Sequence, residues 1–249
     1  MHLDAHLIVP FVAAILAGAI NSAAGGGSFI SFPALLLAGF PPIVANATNN
    51  TAMWIGSTGS IGGFREDFTL DRTTIVPPML VGVVGSTLGS ILLLRTPETT
   101  FQHAIPYLLA FATIVFAASP WLRRSAPATG TRSALATLGP LFCVAVYGGY
   151  FGAGIGIMLL ALFAATTALS LARANAQKNL MTFFINGTAV VPFAIAHAIL
   201  WPVALLMAGG AVGGAYGGAR LIRRLPPFVV RTIVISIGAG MSVYFFINA

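Results

Sequence analysis

The residues in this chain that could do chemistry are amides, glycines and one lysine. Residues 45–50 read ANATNN, and residues 174–179 read ANAQKN. Asparagines four apart share a helix face, so Asn46 pairs with Asn50, and Asn175 with Asn179. An amide is costly to bury without a partner, so each should bond loose backbone nearby or a polar ligand. Asn46 and Asn175 open their helices and suit the first role. Asn49, Asn50, Lys178 and Asn179 lie deeper and suit the second. Asn49 and Lys178 occupy matching positions, so one positive charge distinguishes the two motifs. A lysine inside a transmembrane helix costs about 2.5–3.5 kcal/mol and normally faces a cavity or a partner. Lys178 therefore has two readings. It snorkels to the surface one turn past Arg173, or an anionic ligand is its counter-charge.

Glycines set up the same chemistry. Gly25-Gly26-Gly27-Ser28 precedes one short apolar segment, and Gly152-Ala153-Gly154-Ile155-Gly156 precedes another. Glycine permits close backbone approach and dihedrals other residues avoid. A helix N-terminus presents free N–H groups and the positive end of its dipole, which attract anions. The sequence thus nominates Gly26, Gly27, Ser28, Gly154, Ile155 and Gly156 as backbone and hydroxyl donors. The plainer role of such glycines is a tight turn or close helix packing. Asn21, Gln177 and Asn186 are further polar positions, suited to interhelical hydrogen bonds or to ligand contact.

Composition states where this chemistry sits. The chain is 57% hydrophobic and 7% charged, against about 25% charged in a soluble domain. Apolar segments at 7–24, 28–39, 43–64, 73–94, 101–122, 133–152, 154–169, 174–197, 201–220 and 228–247 predict a helical protein of the bilayer. The alternation of a membrane β-barrel is absent. The five carboxylates fall in terminal or inter-helical stretches, so no carboxylate relay for protons or sodium is expected within a span. Coupling would have to use His197, backbone carbonyls or the protonation of the substrate itself. The other histidines are scattered and Cys143 is alone, so neither a metal cluster nor a cofactor is expected. No nucleophile–base pair or phosphate loop argues for an enzyme. The net charge of +7 comes from scattered loop residues, which fits membrane orientation rather than nucleic-acid binding.

The organisation is a duplication. At a constant offset of 129 residues, Gly25 matches Gly154, Asn46 matches Asn175, Asn50 matches Asn179, Arg95 matches Arg224 and Pro97 matches Pro226. The seam is the basic, Pro/Gly/Ser/Thr-rich stretch 123–132, which leaves an N-terminal repeat at 1–122 and a C-terminal repeat at 133–249. Segment 28–39 rises only about 18 Å, short of a hydrocarbon core of roughly 30 Å. If each Gly-broken pair dips in and returns, every Arg and Lys except Arg95 falls on or towards one side. If the second pair crosses once, the bias disappears. The positive-inside rule favours the hairpins, with both termini outside the cytoplasm. Each half is then an odd number of crossings, and the two halves are inverted. The fold class expected is an all-α polytopic membrane protein of two inverted repeats. Each repeat is a Gly-broken re-entrant helix hairpin plus three transmembrane helices.

The stretch GGGSFISFPALLLAGFPPIVANATNNTAMWIGSTGSIGGFR, with its echo FGAGIGIMLLALFAATTALSLARANAQKN, resembles the TauE/SafE family of sulfite and organosulfonate exporters. The resemblance covers essentially the whole chain. The asparagine-rich run at Asn46–Asn49 departs from the Gly or Thr-Ser found in many members. The resemblance implies an inner-membrane transporter of a small sulfur-containing anion. The other readings are a passive uniporter or uptake carrier for another anion, or a non-transporting membrane subunit. The small-residue faces at 82–89 and 209–218 could pack within the monomer or make a homo-oligomer.

Overall fold

The computed structural model describes residues 5–23, 25–63, 72–124, 134–167, 171–218 and 227–248. These residues form ten α-helices, with no strand among them. In the first half the helices are α1 (Ala5–Ala23), α2 (Ser28–Leu37), α3 (Pro42–Gly63), α4 (Arg72–Arg95) and α5 (Glu98–Arg124). In the second they are α6 (Ala134–Tyr150), α7 (Ile155–Thr166), α8 (Leu171–Ile195), α9 (Trp201–Gly213) and α10 (Pro227–Ile247). Local chemistry explains the breaks. α2 ends at Leu37, two residues before Gly39, which has φ +86°, and Pro42 opens α3, where its missing N–H costs nothing. α5 starts at Glu98, an acid in the first turn that complements the helix dipole. It is longer than its apolar run at both ends. Arg123 and Arg124 extend it into the expected seam, and the rest of the seam lies outside the described residues. The run expected at 201–220 is divided. α9 stops at Gly213 and a π-helical turn follows over Gly214–Gly218. There Gly214 is so close to the Ile15 carbonyl that no Cβ would fit.

Helix α4 shows how the molecule meets its surroundings. Leu80, Val84, Leu88 and Leu92 form an exposed stripe, while Ser86 and Ser90 are fully buried. A soluble helix has the opposite arrangement. Ile75–Arg95 of α4 and Glu98–Ala118 of α5 are long and apolar enough to cross a bilayer. Small residues face inward so that backbones can approach. A side chain at Gly85 or Gly89 would collide with the Phe142 or Val146 carbonyl of α6, and one at Gly210 or Gly214 would meet Phe11 or Ile15 of α1. The face at 82–89 and the Gly210–Gly214 side of 209–218 thus pack within the monomer. Gly209, Gly213 and Gly217 face open space.

Contacts fix the directions of the helices. The Ile43 N–H donates to Glu98 Oε1 (3.2 Å), so α3 and α5 start on one side. α4 ends there too, two residues before α5. α3 and α8 run antiparallel: Leu200 N–H, just past α8, reaches Thr48 Oγ1 (3.1 Å), and Trp54 stacks on Phe183. α4 and α6 run parallel, since Gly85 meets Phe142 and Gly89 meets Val146. α5 and α10 are antiparallel, with Tyr107 on Phe246 and Arg231 on the Ala117 carbonyl.

Candidate functional site

The two glycine breaks meet. Gly25 and Gly26 have φ of +78° and +88°, and Gly152 and Gly154 have +77° and +79°, values that only glycine adopts freely. A methyl group at Gly25 would lie 3.3 Å from Ile157 Cγ1 and 3.6 Å from the Gly156 carbonyl carbon. One at Gly156 would lie 3.8 Å from Gly25 Cα. The tips are therefore in backbone contact. Phe29, fully buried, lies against Gly26 and Gly154 alike.

Neighbouring polar groups hold the breaks in shape. Asn21 Oδ1 on α1 accepts the Gly27 N–H (2.7 Å), so that donor is used within the protein. The Asn21 amide nitrogen is 3.7 Å from Met53 Sδ. At the second break the Tyr147 hydroxyl donates to the Ala153 carbonyl (3.0 Å). Asn46 Nδ2 donates to the Tyr150 carbonyl (3.1 Å), the backbone role its position in the sequence suits. The N–H groups of Gly154 and Gly156 find no acceptor among the described residues. They open α7, where the dipole adds positive potential.

A cavity of about 50 Å³ lies against this junction. Drug-sized sites run to roughly 300–1,000 Å³, so this one suits a ligand of a few heavy atoms. Asn21, Gly26 and Ser28 line it from the first break, and Gly154, Ile155 and Gly156 from the second. α8 adds Lys178, Asn179 and Asn186. Lys178 is only 2% exposed, and its Cδ would lie 3.7 Å from a methyl group at Gly156. Its side chain runs along the second break instead of snorkelling outward. It is the single lysine of the chain, and no carboxylate is among the described lining residues. Asn179 Nδ2, Thr182 Oγ1 and Asn186 Oδ1 are buried without a hydrogen-bond partner among the described residues.

Four residues singled out in the sequence do not line the cavity: Gly27, Asn49, Asn50 and Gln177. Gly27 packs against Ala17, where no side chain would fit. Asn49 Oδ1 accepts the Ser31 hydroxyl (2.6 Å) and so ties α2 to α3. Asn50 sits behind the second break, its Nδ2 3.4 Å from where a Gly152 methyl group would be, and both its amide atoms are buried without a partner. Gln177 is half-buried, about 100° around α8 from Lys178. Conversely, Gly18, Met53, Gly56, Ser57, Thr182 and Ala211 line the cavity and were not anticipated. Two signals pointed to some of them. Lys178, Thr182 and Asn186 recur every four residues on one helix face. Met53 and Ser57 are the matches of Thr182 and Asn186 at the offset of 129. No sequence signal marks Gly18, Gly56 and Ala211, which converge only because α1, α3 and α9 pack closely there.

With this geometry established, comparison with known proteins gives the affiliation. The family model "Sulfite exporter TauE/SafE" matches residues 10–245. The chain belongs to the TauE/SafE family. Among its relatives is "Probable membrane transporter protein ORF9" of Sinorhizobium sp, 28% identical over 233 residues, covering 94% of this chain and 89% of that one. "Probable membrane transporter protein YfcA" of Escherichia coli K12 is 28% identical over 237 residues, with 94% and 87% covered. A "Probable membrane transporter protein" of Haemophilus influenzae is 26% identical, with 95% and 92% covered. No solved structure matches the chain. Family and relatives together make this TauE/SafE protein a membrane transporter and not an enzyme.

Proposed function

We propose that this TauE/SafE protein exports a small sulfur-containing anion, such as sulfite or an organosulfonate, by alternating access between two inverted repeats in the inner membrane. The observation that carries the reading is Lys178, buried in a small cavity where the two glycine breaks touch. A buried cation beside helix-terminal N–H groups, with no carboxylate among the described lining residues, is an environment that favours an anion. Lys178, Asn179, Thr182 and the N–H groups of Gly154 and Gly156 would be its donors, with Asn21 and Ser28 on the facing break. Gly27, Asn49 and Asn50 would act behind the site, by shaping the breaks. Two facts support the inverted repeats: α3 runs antiparallel to its counterpart α8, and α5 to its counterpart α10. Rocking one half against the other would open the junction of the breaks to each side in turn.

The test is radiolabelled sulfite flux in proteoliposomes. Losing a charge-assisted contact worth about 1.5–3 kcal/mol predicts that Lys178→Met lowers flux about tenfold or more. Equal flux in both proteins would remove Lys178 from the site. No flux in wild type above empty vesicles would reject sulfite.

A further inference from the structure

We infer that Met53 sets an upper size on the anion, so that the cavity takes a compact inorganic oxyanion such as sulfite and shuts out sulfonates that carry two carbons or more. The inference rests on the anion-transport reading and narrows its substrate class. The cavity holds about 50 Å³, room for roughly three to five water-sized groups. Sulfite, one sulfur and its oxygens, fits that space. Ethanesulfonate carries the same sulfur and oxygens with two carbons added, and exceeds it. Alternating access must at one point enclose the substrate from both sides. The enclosed volume, and not the width of an open path, then limits what crosses.

Much of the wall cannot yield. A Cβ on Gly18 would collide with the Ala211 carbonyl, and one on Gly56 would lie 2.6 Å from the Ala211 methyl group. α1 and α3 are thus already closed on α9 at the cavity. The two breaks touch through Gly25 and Gly156. Widening the space at either place means parting helices or breaking the junction. Among the described lining residues, Met53 and Ile155 are the two with large apolar side chains. The Ile155 side chain is turned to Gly148 of α6, where its tip leaves no room for a Cβ. Met53 is 4% exposed, and its Sδ lies 3.7 Å from Asn21 Nδ2, beside another lining residue of the first break. An unbranched thioether fills irregular gaps closely. Met53 therefore takes up the volume that a longer sulfonate would need.

The experiment measures initial flux of radiolabelled sulfite and of radiolabelled ethanesulfonate into proteoliposomes, for wild type, Met53→Ala and Met53→Leu. Flux into empty vesicles is subtracted. The readout is the ratio of ethanesulfonate to sulfite flux, which a uniform loss of folded protein leaves unchanged. In wild type the ratio should be about one-tenth or lower, because surplus methylenes do not enter a filled space without strain. Met53→Ala removes the chain beyond Cβ, more atoms than an ethyl group adds, and should raise the ratio about tenfold. Met53→Leu conserves volume and should keep the ratio within about twofold of wild type. If Met53→Ala fails to fold, Met53→Thr is the shortened variant, since Thr182 already stands at the matching position on α8. A wild-type ratio near one overturns the size limit. A ratio that stays put when Met53 is shortened, or that rises as much in Met53→Leu, overturns the role of Met53. Both results leave anion transport standing. If neither anion moves above empty vesicles in wild type, the transport reading fails and takes the inference with it.

Discussion

At the scale of single residues, the glycines of the two breaks divide by what surrounds them. Gly27 already has a helical φ of −57°, so its requirement is space: any Cβ would collide with the Ala17 carbonyl. Gly156 differs, because a methyl group there would meet Lys178 Cδ and Gly25 Cα at ordinary van der Waals distance, 3.7 and 3.8 Å. Overpacking costs about 1–3 kcal/mol where neighbours cannot yield. Gly27→Ala should therefore lower the melting temperature of the detergent-solubilised protein by several degrees. Gly156→Ala should leave it nearly unchanged while cutting anion flux, since the methyl group narrows the cavity beside Lys178. Equal melting shifts in the two variants would contradict this division.

At the scale of elements, small residues decide how the helices sit. In a bilayer there is little hydrophobic gain in burying leucine, so close backbone packing and hydrogen bonds carry association. Gly85 and Gly89 bring α4 onto α6, and the Ser86 hydroxyl donates across to the Ile185 carbonyl of α8. Gly209, although in an equally glycine-rich run, has nothing within 4 Å of its added Cβ. Gly89→Leu should separate α4 from α6 and destabilise by about 3 kcal/mol or more. Gly209→Leu should be tolerated, or gain up to about 1 kcal/mol from better helix propensity. Urea or heat denaturation of the two variants measures the difference. The native cavity depends on such packing, because Gly18 and Gly56 both close on Ala211 at its wall.

At the scale of the whole molecule, the starts of α3 and α5 and the ends of α2 and α10 share one side. Leu36, Pro42, Ile105 and Phe245 line a common groove there. Among the described residues, Arg72, Arg173 and Arg231 lie near the starts of α4, α8 and α10 and Arg124 at the end of α5, on the side opposite Arg95. The positive-inside rule predicts that those ends face the cytoplasm. A C-terminal alkaline phosphatase fusion should then be active and a C-terminal green fluorescent protein fusion dark. The reverse pattern would invert the molecule in the membrane.

By itself the sequence determined the inventory: helices, their breaks, their recurrence and the family. These are local properties, set by the length of apolar runs and by where glycine and proline interrupt them. Nine of the ten segments read from hydropathy lie within four residues of a helix boundary at each end, and the tenth, 201–220, is divided at Gly213. The lysine and the glycine clusters were legible as chemistry for the same reason, since a buried charge or a run of flexible residues is conspicuous in an apolar chain. Tertiary structure alone decided which polar atoms share a space. Asn49 and Lys178 are equivalent in sequence, yet Asn49 bonds Ser31 while Lys178 lines the cavity. Asn50 and Asn179 part in the same way. Helical periodicity says which side chains share a face, but not which way the face points. That depends on the rotation and depth at which each helix packs, and so on glycines scattered over α1, α4, α6 and α9, whose contacts are long-range and leave no local trace.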